Sequence, residues 1–252
     1  LGSLEAFNAQ FGTQFDLSSG TLIAPKKLKE LARNAIKWDE CDICGLMYSE
    51  YWKWDGAEDD KKHIITIDLA EGIGNDYTVI SDWCVQPNNV FEMHACWRCN
   101  NLPIEIIPKV LFSWLNVKKY GECVLISYEQ NTYGDLFMSY CNESDFDKSL
   151  FVFQRDSSNK RRYGFKMTST SKAAACSSLK RQIEEGKIYS HWQVAQSELE
   201  NFCMHTNGTF SANNGHDDVV MTMVQLAGII PSSCVKTFLA QEKLNKGEIK
   251  KQ

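Results

Sequence analysis

The sequence contains no G-x-x-x-x-G-K-[ST] string, which excludes ATP binding through a Walker loop. No basic-then-apolar leader opens the chain, so secretion has no support. The longest apolar stretch, Val219 to Ile230, is interrupted by Thr222, Gln225 and Gly228 and is too short and too mixed to span a bilayer. The five histidines (His63, His94, His191, His205, His216) lack zinc-ligand spacing. Ten cysteines in 252 residues are too sparse for a disulfide scaffold and read as mostly buried free thiols in a reducing compartment. Gly72 and Gly74 follow an apolar run as in a dinucleotide turn, but the third glycine is missing and a strand rather than a helix should follow.

The composition is otherwise ordinary. Hydrophobic residues are 43% and charged residues 23%, which rules out disorder of the whole and allows a substantial core. The length fits one large domain, or a domain with an attached arm. Net charge is -5, yet the charges are segregated. Residues Trp38 to Asp60 hold eight acids against Lys53 alone, whereas Arg155 to Lys187 hold nine bases against three acids. Such asymmetry permits a nucleic-acid surface on an acidic protein; taken alone, both runs are more simply solvated faces.

Hydrophobic spacing organises the rest. Phe7, Phe11 and Phe15 recur on one helical face, and Pro25 opens a short basic helix reaching Ile36. The acidic, aromatic stretch from Trp38 to Lys62 reads as a linker, with a strand near Leu46 to Tyr48. His63 to Ile67 is a β-branched run suited to a strand buried on both faces. Strands at Tyr77–Val85 and Val90–Cys99 complete an antiparallel meander. A helix from Pro103 to about Lys119, a strand at Cys123–Ser127, a helix at Tyr133–Cys141 and a strand at Phe151–Phe153 follow. A basic loop spans Asp156 to Thr168, and Ser169–Ser171 caps a helix ending at Gly186. A short helix at Ser197–Met204, a polar hairpin or loop at Thr206–Gly215 and a last helix at Asp217–Ile229 close the order. The fold class is α/β: a mixed sheet flanked by helices, with a short N-terminal helical arm. The chain divides into an arm and linker (1–62), a main domain (63–238) and a Lys/Glu-rich disordered tail (239–252).

Three acidic positions stand out. Asp68 directly follows the apolar run, where an ionised carboxylate is costly unless paired or bound to a cation. Glu129 repeats the pattern after Val124–Ser127, on what would be a neighbouring parallel strand. His216-Asp217-Asp218 opens the last helix, where acids also favour the dipole. Successive helical residues point about 100° apart, so one aspartate should ligate and the other cap or support it. Each acid alone has an ordinary reading as a turn, strand end or cap. Converging at one rim, they would suit Mg2+ or Mn2+, and a pair of such ions does phosphoryl chemistry. Lys172, opening a helix after the basic loop, would contact phosphate or be a solvated lysine. Arg161 and Arg162, with Lys160, are the candidate backbone binders of that loop. The pairs Cys41/Cys44 and Cys96/Cys99 could form a four-cysteine zinc site, but 51 residues separate them. The second pair also lies on a strand, where i and i+3 face opposite sides.

The ordered strings Ile67-Asp68-x-Ala70-x-Gly72-x-Gly74-x-Asp76, Tyr128-Glu129-Gln130-Asn131, Gly164 with Lys172 and Leu179, and Gly215-His216-Asp217-Asp218-Val219-Val220-Met221 together resemble the C-terminal nuclease domain of the tailed-bacteriophage terminase large subunit. Phe7 to Phe15 resembles the segment joining that family's ATPase to its nuclease. The resemblance implies an RNase H-like fold in which Asp68, Glu129 and Asp217 hold two Mg2+ or Mn2+ ions. Asp218, His216 and Asp76 would be supporting or alternative ligands. It implies cutting of concatemeric double-stranded DNA with little sequence preference during genome packaging in the cytoplasm of an infected bacterium. Its partners would be the small terminase subunit and the portal, with no membrane. The ATPase half of such a motor is absent from this sequence. The rivals are another RNase H-like nuclease, such as a resolvase or transposase core, and a non-catalytic zinc-binding assembly module.

Overall fold

The computed structural model describes residues 20–35, 50–53, 61–118, 123–144, 146–156 and 158–241. Its elements, in chain order, are α1 (Pro25–Arg33), β1 (Glu50–Lys53), β2 (His63–Asp68), β3 (Thr78–Gln86), β4 (Val90–Cys99), α2 (Ile107–Lys118), β5 (Val124–Tyr128) and α3 (Thr132–Glu143). There follow β6 (Phe153–Arg155), β7 (Arg161–Tyr163), α4 (Ser169–Glu184), β8 (Ile188–Tyr189), α5 (Gln193–Asn201), β9 (Phe202–Met204), β10 (Phe210–Ala212), α6 (Asp218–Ile229) and α7 (Ser233–Ala240).

The β-branched run His63–Ile67 forms β2 near the middle of a mixed sheet ordered β1-β4-β3-β2-β5, with β8 also on the outer edge of β4. β2, β3 and β4 make the expected antiparallel meander, and β5 joins β2 in parallel. Alternation sends Ile65 and Ile67 to a core layer under α2 and α3, and Ile64 to the opposite layer under α4, α5 and α6. All three isoleucines are fully buried, each contributing about 1.5–3 kcal/mol. Leu22, Ile23 and Leu28, from the segment preceding residue 63, also lie in the second layer. Thr21 bridges to Cys203 and Leu22 N donates to Phe202 O, which ties this segment to β9.

Cys96 and Cys99 belong to opposite core layers, so they do not share one ion. The expected first helix, the Leu46–Tyr48 strand and the Cys41/Cys44 pair lie outside the described residues. Among the described residues no single helix is long and apolar enough to cross a membrane.

Several expected elements differ. The basic loop is a β-hairpin: Phe153↔Tyr163, Gln154↔Arg162 and Arg155↔Arg161 pair antiparallel. Its polar face hid the strand signal, because period-2 alternation needs a buried side. Of Phe151–Phe153, only Phe153 enters that hairpin, while Phe151 makes an isolated bridge to Ile126. The helix placed at Ser197–Met204 is α5, which starts earlier and stops at Asn201; Phe202 then opens β9, and the Thr206–Gly215 segment holds its partner β10. The helix α7 was not foreseen and runs through Ala240, into the stretch assigned to the tail; Ser232 caps it, and Lys62 Nζ donates to its terminal carbonyls at Phe238 and Leu239.

The hairpin is seated by Gly164. Its φ is +84°, and an added Cβ would stand 2.6 Å from Tyr128 O at the end of β5. Phe165 N donates to that same oxygen at 2.8 Å. Gly164→Ala should therefore combine backbone strain with a clash and destabilise by about 1–3 kcal/mol, read as a lower urea midpoint at unchanged slope. An unchanged midpoint would contradict the contact.

Candidate active site

Parallel pairing of β2 and β5 sets Ile67 opposite Tyr128, so Asp68 and Glu129 follow side by side. Glu129 N donates to Ile67 O at 3.3 Å. Tyr128 belongs to the layer of Ile65 and Ile67, so alternation turns both acids to the opposite face, the one covered by α6. The helix α6 crosses this face, docked by a 2.7 Å hydrogen bond between Thr222 Oγ1 and Ser81 Oγ of β3. Its N-terminal end carries Asp217 and Asp218 to the same rim. Asp68, Asp76, Glu129, Asp217 and Asp218 all line one cleft of about 360 Å³.

Residues outside the original set complete this cleft. Gly72, with φ +74°, shapes the wall after β2; a Cβ there would stand 2.1 Å from Leu102 O. Tyr133 in the first turn of α3 donates to Glu71. Asn131 caps α3 by accepting from Gly134 N at 2.9 Å, and it also bonds the Glu129 carboxylate. Asn131 sits in the Tyr128–Asn131 string and was within reach of sequence reasoning; Tyr133 and Glu71 offered no such signal, because their pairing spans 62 positions.

The electrostatics are those of crowded acids. Burial raises Asp68 well above the usual carboxylate range, with the charges of Glu129, Asp218 and Asp217 pushing the same way and Lys172 opposing them. Burial also raises Glu129, again opposed by Lys172 and by Asn131. Asp218 is lifted to about 6, first by burial and then by Asp76 and Asp217, against the amide of Tyr77 and the ring of His216. His216 Nδ1 lies 3.4 Å from Asp218 Oδ2, which is buried and makes no hydrogen bond. Asp217 turns one oxygen, Oδ2, to Ala212 N at 2.8 Å. It makes no capping bond to α6. Of the two roles expected for the non-ligating aspartate, capping or support, capping of α6 by Asp217 is not what the fold uses.

Among the described residues no three His, Cys, Asp or Glu side chains converge into a ready-made metal cage. The donor set nevertheless fits a hard divalent cation. It consists of carboxylate oxygens, their charges raise one another's proton affinity, and Asp218 Oδ2 lacks a hydrogen-bond donor. Repulsion among like charges works against a tighter cluster until a cation is supplied. The remaining histidines serve elsewhere: His63 pairs with Asp82, His94 and His191 flank Glu92, and His205 bonds Ser211.

Of the predicted basic residues only Lys172 is placed against the acids; the others belong to the hairpin. Arg161 stacks on Phe153 at 4.6 Å, Arg162 Nε reaches Asp156 at 3.1 Å, and Lys160 is exposed at the hairpin end. Arg155, Arg162 and Lys166, with Asp135 and Asp156 among them, border a second cleft of about 490 Å³ together with Gln130, the residue after Glu129. Arg155 and Lys166 were not singled out in the sequence, since only the hairpin pairing brings them alongside Arg162. Lys172 is in the first turns of α4, close enough to act on both Asp68 and Glu129.

No protein-family model matches the sequence. Among solved structures, the large terminase nuclease from thermophilic phage G20c aligns at a TM-score of 0.55 and 15% identity, over 79% of this chain and 96% of that one. The same nuclease with bound magnesium aligns at 0.55 and 16% identity, over 79% and 95%. The HK97 bacteriophage large terminase aligns at 0.51 and 12% identity over 82% of this chain but only 43% of that protein. The chain thus has the fold of these nucleases, the expected RNase H-like mixed sheet flanked by helices.

Because Asp218 binds its proton more tightly folded than unfolded, its ionisation destabilises the metal-free protein as pH rises from about 4 to about 6. Asp218→Asn should therefore be more stable than the wild type at pH 7, by about 1–2 kcal/mol, and the gap should close near pH 4. Thermal melts across that range in EDTA test this. A gap independent of pH would show that Asp218 carries no such strain.

Proposed function

We propose that the chain is a divalent-metal-dependent endonuclease that hydrolyses double-stranded DNA with little sequence preference, as the cutting part of a viral genome-packaging motor. The observation that carries this reading is the convergence of Asp68, Glu129, Asp217 and Asp218 on one cleft beside a basic hairpin. The bound magnesium in the G20c relative and the ordered motifs named above support it.

Asp68 and Glu129 would hold Mg2+ or Mn2+ from the sheet, and Asp217 from the start of α6, with Asp218, Asp76 and His216 supporting or replacing it. A pair of such ions supplies an activated water and stabilises the leaving oxygen. The chain's own residues do the rest. Buried carboxylates with raised proton affinity exchange protons for cations, so loading favours neutral over acidic pH. Asn131 orients Glu129, and the Tyr77 amide orients Asp218. Arg155, Arg162 and Lys166 line the groove next to Gln130 and would contact the phosphate backbone. Such contacts position a duplex without reading its bases. Lys172 supplies positive charge to Asp68 and Glu129. The small terminase subunit, the portal and the cytoplasm of an infected bacterium follow from the family resemblance.

Plasmid DNA should be nicked and then linearised with Mn2+ or Mg2+, and EDTA should abolish this. Asp68→Asn should remove cleavage while the melting temperature holds or rises, because one charge leaves a self-repelling cluster. Wild-type-like cutting by this variant would refute the assignment. DNA affinity should fall steeply with salt, and Lys166→Ala should reduce the log–log slope by about 1. An unaltered slope would remove Lys166 from the DNA track.

A further inference from the structure

The N-terminus of α6 is capped from outside its own chain segment. The amides at its second and third positions, Val219 and Val220, are those that an N-cap side chain ordinarily satisfies. Asp217, the N-cap residue, leaves them alone. Glu198, in α5, takes both: its Oε2 accepts from Val219 N at 2.8 Å and from Val220 N at 3.1 Å. Glu198 is only 6% exposed, an expensive place for a carboxyl group.

The other oxygen of Glu198 faces Arg98, with Nη1 3.5 Å away. The Arg98 guanidinium lies over the ring of Tyr77 at 4.5 Å and near that of Trp192 at 5.5 Å. Tyr77 closes the circuit. Its main-chain amide donates to Asp218, and its ring meets His216 edge-on at 5.0 Å. One path thus runs from β4 through Arg98 and Glu198 to the first turn of α6, and another from Arg98 through Tyr77 to the Asp218 carboxylate.

We infer that Glu198 is the positioning residue of the acid cleft: by capping α6 in place of Asp217 and Asp218, and with Arg98 behind it, it leaves those two carboxylates available to a divalent cation and holds the backbone that aims them. This deepens the nuclease reading and rests on it. A local cap by Asp217 would spend its carboxylate on amides and turn it away from Asp68. With the amides satisfied from α5, one oxygen of Asp217 is left over from Ala212 and one of Asp218 from Tyr77. Groups that orient metal-holding side chains commonly matter for metal affinity without touching the ion.

The test compares Glu198→Ala, Glu198→Gln and Leu199→Ala, the last a control that opens the core beside Glu198 on the same helix. Mn2+ binding is measured by calorimetry, with melting temperature and amide hydrogen exchange at Val219 and Val220 alongside. Glu198→Ala should weaken Mn2+ binding about tenfold or more and speed exchange at both amides. Glu198→Gln, whose side-chain oxygen can still accept both bonds, should stay close to wild type. Leu199→Ala should lower the melting temperature and leave Mn2+ affinity intact. Wild-type Mn2+ affinity in Glu198→Ala, or an equal loss in Leu199→Ala, would overturn the inference. If the wild-type protein itself bound no Mn2+, the nuclease reading would fall instead, and amide exchange would still show whether Glu198 caps the helix.

Discussion

Everything distinctive about this molecule depends on forcing carboxylates that repel one another onto the same rim. Parallel pairing of β2 with β5 does the first half. It aligns Ile67 with Tyr128, and the two-residue period then sends Asp68 and Glu129 out on one face. The crossing of α6 over that face does the second half, bringing Asp217 and Asp218 from nearly 90 residues further along the chain. The cost shows in the proton affinities of Asp68, Glu129 and Asp218, all raised by burial. Carboxylates raised together in one cleft are the mark of a functional site.

The surrounding structure counters that repulsion. The apolar layers on both sides of the sheet keep β2 and β5 from separating, and the Thr222–Ser81 bond pins α6 to β3. Glu198 satisfies the helix start so that the acids there need not. Even the hairpin is anchored at this point, because Phe165 bridges to Glu129 and Gly164 rests on the Tyr128 carbonyl. The acid cleft and the hairpin cleft therefore meet at the end of β5, where Glu129 lines the first and Gln130 the second.

Much of the sheet could be read in the residues. His63–Ile67 announced a doubly buried strand, and the meander came within a residue or two at each end. Asp68 and Glu129 were marked because each stood where an apolar run gives way, and the Asp217–Asp218 pair because it opens the last apolar helix. Elements with one polar face were harder. The β6–β7 hairpin is exposed along most of its length, so it offered bases but no alternation, and β9 follows α5 without a break, so the two merged into one helix. The short α7 was missed because Pro231-Ser232-Ser233 ends the apolar stretch of α6 and its own eight residues are too few to show a helical period.

The amino-acid order by itself determined the buried strands, a hydroxyl cap at the start of α4 (on Thr168 with Ser171, one residue before the expected Ser169–Ser171 start) and which acids would sit at element ends, since these follow from hydrophobic period and local bonding over a few residues. Only the tertiary structure decided that those acids share a face, that Cys96 and Cys99 do not, and that Glu198 rather than Asp217 caps α6. Each of these depends on a register or a helix crossing between segments far apart in the chain, and no local period encodes it.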